Sequence, residues 1–304
     1  MPRIIDTHAH IYDKITTRSH LSLTVGFHKY LYNRDVSPEE IMAAAPDNAD
    51  GFAEDMRKHN IATTIVGFNC ESGTGDPGVP NDHIANLVKK HPDVFITAWG
   101  TVDPWTGEKA LAEIERCIKE LNFIGMKFHQ PTQKFHPNDH RFYPLWDLCQ
   151  QLHSPVQFHM GYSGLGTGVP GAGGVKLGYS RPIPDIEDIA ADFPRLKIIM
   201  LHMGDPWEAE CNALAFHYPN IIRETSGILP KYMPEVNFYE MNRRLQDKWV
   251  FGSDYNLFQY DDLLKQHQER GYRPGVWEKI AYKNCIHFLG EEMERVGIKL
   301  KEWE

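Results

Sequence analysis

Eight short runs rich in β-branched and aromatic residues recur along the chain, and stretches of helical periodicity separate them. The runs are Arg3–His8, Ala62–Asn69, Val94–Gly100, Phe123–His129, Val156–Met160, Leu196–His202, Ile221–Ser226 and Trp249–Asp254. Several, such as ATTIVGF and LKIIML, are near-continuous in β-branched or aromatic residues, as in parallel strands covered on both faces. The helical stretches are Pro80–His91, Glu108–Leu121, His140–Leu152, Pro184–Phe193, Pro206–His217, Pro234–Leu245 and Asp261–Arg270. Asn81 and Asp82 are cap candidates for the first. In the second, Ala110, Leu111, Ile114, Cys117, Ile118 and Leu121 fall on one stripe. Such alternation predicts an α/β fold with a parallel sheet and right-handed crossovers. Eight units can close into a (β/α)8 barrel of the TIM type. A doubly wound open sheet is the rival, because alternation alone does not fix closure.

No repeat or linker divides the 304 residues, so the expectation is one domain over 1–304. Two long irregular segments, Ile11–Val36 and Gly161–Ser180, follow the first and fifth runs, and the second holds eight of the 24 glycines. Long loops at the carboxyl ends of barrel strands are where such folds build their sites. The net charge of −9 argues against a nucleic-acid binder. No apolar run is long enough to span a membrane. The opening MPRIIDTHAH lacks the apolar stretch of a signal peptide, and the five cysteines are scattered, so a cytoplasmic location is expected.

Histidine is over-represented, at 16 of 304 residues. In a strand, His8 and His10 point the same way, presenting two imidazoles to one metal. Other runs end in comparable groups: the fifth at His159, the sixth at His202, the eighth at Asp254. A lone histidine after an apolar run is most often a satisfied polar cap; four convergent strand ends are not explained that way. The expected ligands are therefore His8, His10, His159 and Asp254 around one divalent metal. His202 and Asp254 would manage the proton of a bound water or substrate. Zinc is the first choice for this donor set, with manganese next and iron or cobalt open. Lys127 and His129, at the end of the fourth run, are candidates for holding substrate. For Lys127 the competing reading is a buried ammonium paired with Glu224 or Asp6. Arg181 and Tyr179 could hold an anionic or aromatic substrate; a surface salt bridge competes for Arg181. Glu224 could orient a ligand histidine or contact substrate.

Gly166, Gly168 and Gly171 match the spacing of a dinucleotide-binding loop. Pro170 and the following AGGVKLGYSRP do not open a helix, so no helix dipole is available for a pyrophosphate and this reading is rejected.

Taken in order, IIDTHAHIYD, FHMG, LHMG, ETSG and FGSDYN resemble the amidohydrolase superfamily, most closely its amidohydrolase-2 branch, from Ile4 to Leu289. The resemblance implies a TIM barrel with one catalytic metal, its ligands falling on His8, His10, His159 and Asp254 and its sixth-strand histidine on His202. Binuclear relatives use a carbamylated lysine near the place of Lys127, whereas this branch is generally mononuclear. Some decarboxylases of the branch carry Glu where this chain has His8. The first expectation is a metal-dependent hydrolase acting on a lactone, ester, C–C bond or β-ketoacyl thioester. The alternatives are a non-oxidative decarboxylase of an aromatic acid and a non-catalytic metal-binding barrel. The implied partner is a small anionic or aromatic molecule, and homo-oligomers are common in the family.

Overall fold

A computed structural model describes residues 3–303, apart from the side chains at 30–32 and 302. Eight parallel strands follow chain order: β1 Ile4–His10, β2 Ile61–Val66, β3 Phe95–Thr101, β4 Gly125–Phe128, β5 Val156–His159, β6 Ile198–Leu201, β7 Ile221–Glu224 and β8 Trp249–Val250. Backbone hydrogen bonds carry the end of β8 back to β1: Thr7 N to Phe251 O (3.0 Å), Asp254 N to His8 O (2.9 Å) and His10 N to Tyr255 O (2.7 Å). The sheet therefore closes into the expected TIM barrel, and the open-sheet rival is excluded. The eighth strand is shorter than its run. Its ladder with β7 ends at Val250, and beyond it the chain bonds to β1 instead.

Alternation sorts the side chains into two layers. Met126, Phe128, Phe158 and Met200 face the surrounding helices. Ile5, Val66, Trp99, Ile199, Ile222 and Val250 meet inside the barrel, where Cys285, Leu289 and Met293 of helix Asn284–Arg295 join them and plug its lower end. Further along, with inward parity, come Thr101 two residues after Trp99, Glu224 two after Ile222, and His159 two after the buried Gln157. Lys127 is paired in register with Thr101 and Gln157. The upper lumen is thus polar because the pleat carries these residues above an apolar floor.

The expected helices form, within a few residues at each end. Asn81 does not cap its helix: the cap position is Pro80, which makes no side-chain bond. The Asn81 amide instead accepts from Thr101 N (3.0 Å) and donates to Thr101 O (2.9 Å), tying helix Asn81–Lys90 to the end of β3. The segment Ile11–Val36, expected to be irregular, is largely helical, with Lys14–Thr17, a 3-10 turn at Arg18–His20 and Leu21–Tyr32. Asp13 starts it by accepting Ile15 N (3.1 Å) and Thr16 N (2.9 Å). Its mid-helix Gly26 hid the helix from the sequence, yet a Cβ there would lie 2.5 Å from Thr167 O. That close approach packs this helix onto the glycine-rich segment after β5. The latter is irregular apart from 3-10 turns at Pro170–Gly174 and Leu177–Ser180, and no helix follows Gly171 to hold a pyrophosphate. Among the described residues no helix is long and apolar enough to cross a membrane, and the five cysteines are buried and free.

Candidate active site

Three of the four expected metal ligands converge at the barrel mouth. His8 Nε2 and His10 Nε2 are 3.1 Å apart, and Asp254 Oδ1 lies 3.6 and 3.5 Å from them. Metal–donor bonds of 2.0–2.2 Å at tetrahedral or octahedral angles place neighbouring donors about 3–3.5 Å apart, so this spacing fits a divalent cation.

The lone pairs also point correctly. Val66 O can only accept, so the 3.1 Å contact at His10 Nδ1 fixes the proton there and leaves Nε2 bare. Ser226 donates its hydroxyl proton to Glu224 Oε2 at 2.6 Å. Its oxygen therefore accepts from His8 Nδ1 (3.1 Å) and His202 Nδ1 (2.8 Å). Each of these imidazoles then offers Nε2 as an acceptor or ligand. Burial holds His8, His10, His129 and His159 well below the ordinary histidine range and pushes His202 down to about 3. Neutral imidazole is the form that binds metal.

His159 stands outside the trio. Its ring lies 4.5 Å from that of His202, which is in turn 5.3 Å from His8. Its Nε2 is 2.9 Å from Tyr162 O, so that nitrogen carries the proton. Its Nδ1 is buried without a partner among the described residues. An orphaned lone pair on a buried neutral imidazole is open to a water or a cation.

Beneath the histidines, Glu224 is fully buried and raised to about 8, chiefly by desolvation. It accepts from Ser226 N (2.6 Å) and His202 N (3.2 Å) and sits 3.7 Å from His8 Nδ1. It faces the ligand histidines, not the mouth. His202 and Asp254 both adopt left-handed backbone, at φ 67° and 54°. For residues with a Cβ this costs about 1–2 kcal/mol each. The conformations are held by the bonds of their own amides to Glu224 and to His8 O.

Lys127 Nζ lies 2.5 Å from His8 Nε2 and 3.0 Å from His10 Nε2. Burial lowers it to about 8, against the opposing pull of Asp254 and Glu224. Its hydrogen-bond partners are thus the two histidines, and Asp6 is committed elsewhere. Asp6 accepts from Ser253 Oγ (2.5 Å) and Tyr260 OH (2.7 Å), locking β1 to the end of β8. His129 packs 4.3 Å from His159. Arg181 is half exposed and forks onto Glu210 at 2.7 and 3.2 Å, and Tyr179 packs on His136. The structure shows no contact of either with the histidine cluster. Sequence reasoning missed Ser226, whose role exists only in three dimensions, and Phe68, which stacks on His10 at 4.5 Å and 11°.

The amidohydrolase family profile matches residues 5–290. A curated relative, γ-resorcylate decarboxylase of Polaromonas sp. (strain JS666), is 30% identical over 121 residues, 34% of this chain and 36% of its own length. The chain spans about a third to about half of the length of the curated relatives it matches. The 5-carboxyvanillate decarboxylase of Novosphingobium aromaticivorans, solved with manganese and 4-hydroxy-3-methoxy-5-nitrobenzoic acid, superposes with a TM-score of 0.66 at 17% identity, covering 95% of this chain and 96% of that one. A probable 2-pyrone-4,6-dicarboxylic acid hydrolase of Acinetobacter baumannii, with citric acid bound, gives 0.64 at 16%, covering 95% and 99%. At these identities the two structures speak for the fold. With the profile spanning nearly its whole length over a barrel that gathers His8, His10 and Asp254, the chain belongs to the amidohydrolase superfamily, in its amidohydrolase-2 branch.

Proposed function

We propose that the protein is a metal-dependent non-oxidative decarboxylase of a hydroxylated aromatic acid. The observation that carries this reading is the match to γ-resorcylate decarboxylase. It takes precedence over the hydrolase that was the first expectation from the sequence. His8, His10 and Asp254, with His159 supplying Nδ1, would hold the metal, zinc or manganese. A bound cation would supply the positive charge that grips carboxylate and phenolate oxygens.

The chain's own residues account for the rest. Phe68 offers an apolar face beside His10. Lys127 adds a buried positive charge next to the ligand histidines. Asp254, whose carboxyl group is held above its ordinary range by burial, delivers a proton to the ring carbon that bears the carboxylate, and His202, with Nε2 bare, accepts a hydrogen bond from the substrate. The bond from that carbon to the carboxylate then breaks, its electron pair restores the aromatic ring, and carbon dioxide leaves. Glu224 and Ser226 hold His8 and His202 in the tautomer that leaves Nε2 bare.

Hydrolysis is the second reading, favoured by His8 standing where some decarboxylases of the branch carry Glu. The two are separated by incubating metal-loaded protein with hydroxybenzoates, and in parallel with lactones and β-keto thioesters, in labelled water. Carbon dioxide release without oxygen incorporation is expected. Labelled oxygen in the product of a lactone or thioester, with hydroxybenzoates untouched, would overturn the decarboxylase reading.

A further inference from the structure

Beside Lys127 the upper lumen holds a cavity with room for one water-sized group, lined by Phe68, Asn69, Thr101, Lys127, His129 and Thr132 among others. Most polar groups around it are already spent. The Thr132 hydroxyl donates to His129 O (3.1 Å) and accepts from His129 Nδ1 (2.8 Å). The Gln133 amide donates to Asn69 O and Val102 O and accepts from His129 N. The Thr101 backbone is taken by Asn81.

Beside the Asn69 side-chain amide, three groups on the lining residues stay open. Thr101 Oγ1 is buried on a residue only 3% exposed and has no partner among the described residues. His129 Nε2 is a bare lone pair, because Nδ1 gives its proton to Thr132. Lys127 carries three N–H donors, two of which meet His8 and His10 here and would be released by a metal on those nitrogens, so at least one is left for the cavity. One acceptor, one cationic donor and one hydroxyl that can do either surround a space for a single oxygen. A carboxylate would set an anion against the His129 lone pair. An uncharged hydroxyl matches all three, donating to His129 and accepting from Lys127 and Thr101. Phe68 walls the cavity with an aromatic face.

We propose that Thr101, Lys127 and His129 form a subsite for one hydroxyl oxygen, filled by water in the resting protein and by a ring hydroxyl of the substrate on binding. The substrate half of this assignment rests on the aromatic-acid reading above. It makes Thr101 a residue that selects dihydroxylated over monohydroxylated acids.

The test is calorimetric binding to the metal-loaded protein of 2-hydroxybenzoate and of the 2,3-, 2,4- and 2,6-dihydroxybenzoates. The wild type should prefer at least one dihydroxy isomer. Thr101→Val, which keeps the shape and removes the hydroxyl, should cut that preference about 5- to 10-fold while leaving 2-hydroxybenzoate affinity unchanged. Thr101→Ser, which keeps the hydroxyl, should retain it. Equal loss for mono- and dihydroxy acids in Thr101→Val, or no change for any, overturns the subsite. A crystal structure of each ligand-free protein provides an arm independent of substrate: a water on Thr101 Oγ1 in the wild type, absent in Thr101→Val. That water together with no binding of any acid means the aromatic-acid reading has failed while the oxygen site stands. No water and no hydroxyl preference removes the site itself.

Discussion

The hydroxyl oxygen of Ser226 lies 2.8 Å from Nδ1 of His202. The same oxygen is 3.1 Å from Nδ1 of His8, and its own proton goes to Glu224. One small side chain therefore sets the tautomer of His8 and of its neighbour His202 together. Ser226→Ala removes both constraints and takes one of the three donors from Glu224, leaving it the Ser226 and His202 amides. Metal affinity should fall about 10- to 100-fold, the usual cost of losing a hydrogen bond behind a ligand. Competition with a coloured chelator measures it. An unchanged affinity would show that His8 keeps its tautomer without Ser226.

The histidines should divide by role. His10→Ala and His159→Ala are expected to lose bound metal, His10 as a member of the trio and His159 through its orphaned Nδ1. His202→Ala should keep the metal and lose turnover, because its Nδ1 bond to Ser226 leaves Nε2 for substrate or proton. Elemental analysis of the purified variants, beside carbon dioxide release, reads both. Full metal content in His159→Ala would confine the ligand set to His8, His10 and Asp254.

The barrel was legible because several strands, LKIIML and ATTIVGF among them, are near-continuous in β-branched and apolar residues and alternate with helical stretches. The convergence of His8, His10 and Asp254 was legible because a strand's parity and its carboxyl end say where a side chain points. What escaped detection depends on contacts between distant elements. Ser226 is one polar residue among many until β7 sets it between His8 and His202. Thr101 is an ordinary strand residue until Asn81 takes its backbone and leaves its hydroxyl alone. The helix Leu21–Tyr32 was obscured by Gly26, whose reason is the Thr167 carbonyl against it. Arg181 went the other way: its position after a glycine-rich segment suggested a substrate anion, and Glu210 is what it meets.

Gly252 is fixed by the same buried carboxylate. A Cβ at this position would fall 1.8 Å from Glu224 Oε1. Glu224 cannot move aside without breaking its bonds to Ser226 and His202. Gly252→Ala should destabilise the fold by about 1–3 kcal/mol, as overpacking of a filled interior does, and weaken metal binding along with it. Chemical denaturation and metal titration test the two together; loss of stability with metal affinity intact would mean that the strain is absorbed away from Glu224.

Arg223 points outward from β7 and is wholly buried, with no carboxylate paired to it among the described residues. Its guanidinium bonds Asn212, Asn237 and Met203 O and stacks 4.0 Å from the Trp249 ring. Asn237 Oδ1 and Met203 O each have a second donor, so Arg223→Met leaves chiefly Asn212 Oδ1 without a partner. The expected loss is about 1–3 kcal/mol. Arg223→Lys should be no better, because an ammonium cannot span the same acceptors or stack on the indole. Urea denaturation of the three proteins ranks them, and a lysine variant as stable as the wild type would contradict the argument from shape.

His267 offers a pH readout away from the metal. It is buried among Phe251, Tyr272 and Trp277, with Nδ1 3.0 Å from Tyr272 OH, and desolvation lowers it from 6.5 to about 3. In the folded protein it stays neutral down to about pH 3, whereas in the unfolded chain it takes up a proton near 6.5. Between those values the unfolded state binds more protons, so stability falls as pH falls, by up to about 1.4 kcal/mol per pH unit from this residue alone. The buried mouth histidines act with the same sign and steepen the total. His267→Gln, which keeps a bond to Tyr272 and cannot titrate, should be less stable near neutrality and show a slope smaller by about one proton between about pH 6 and about pH 4. Denaturation midpoints across that range give the slope, and an unchanged slope would mean that His267 is protonated within the fold.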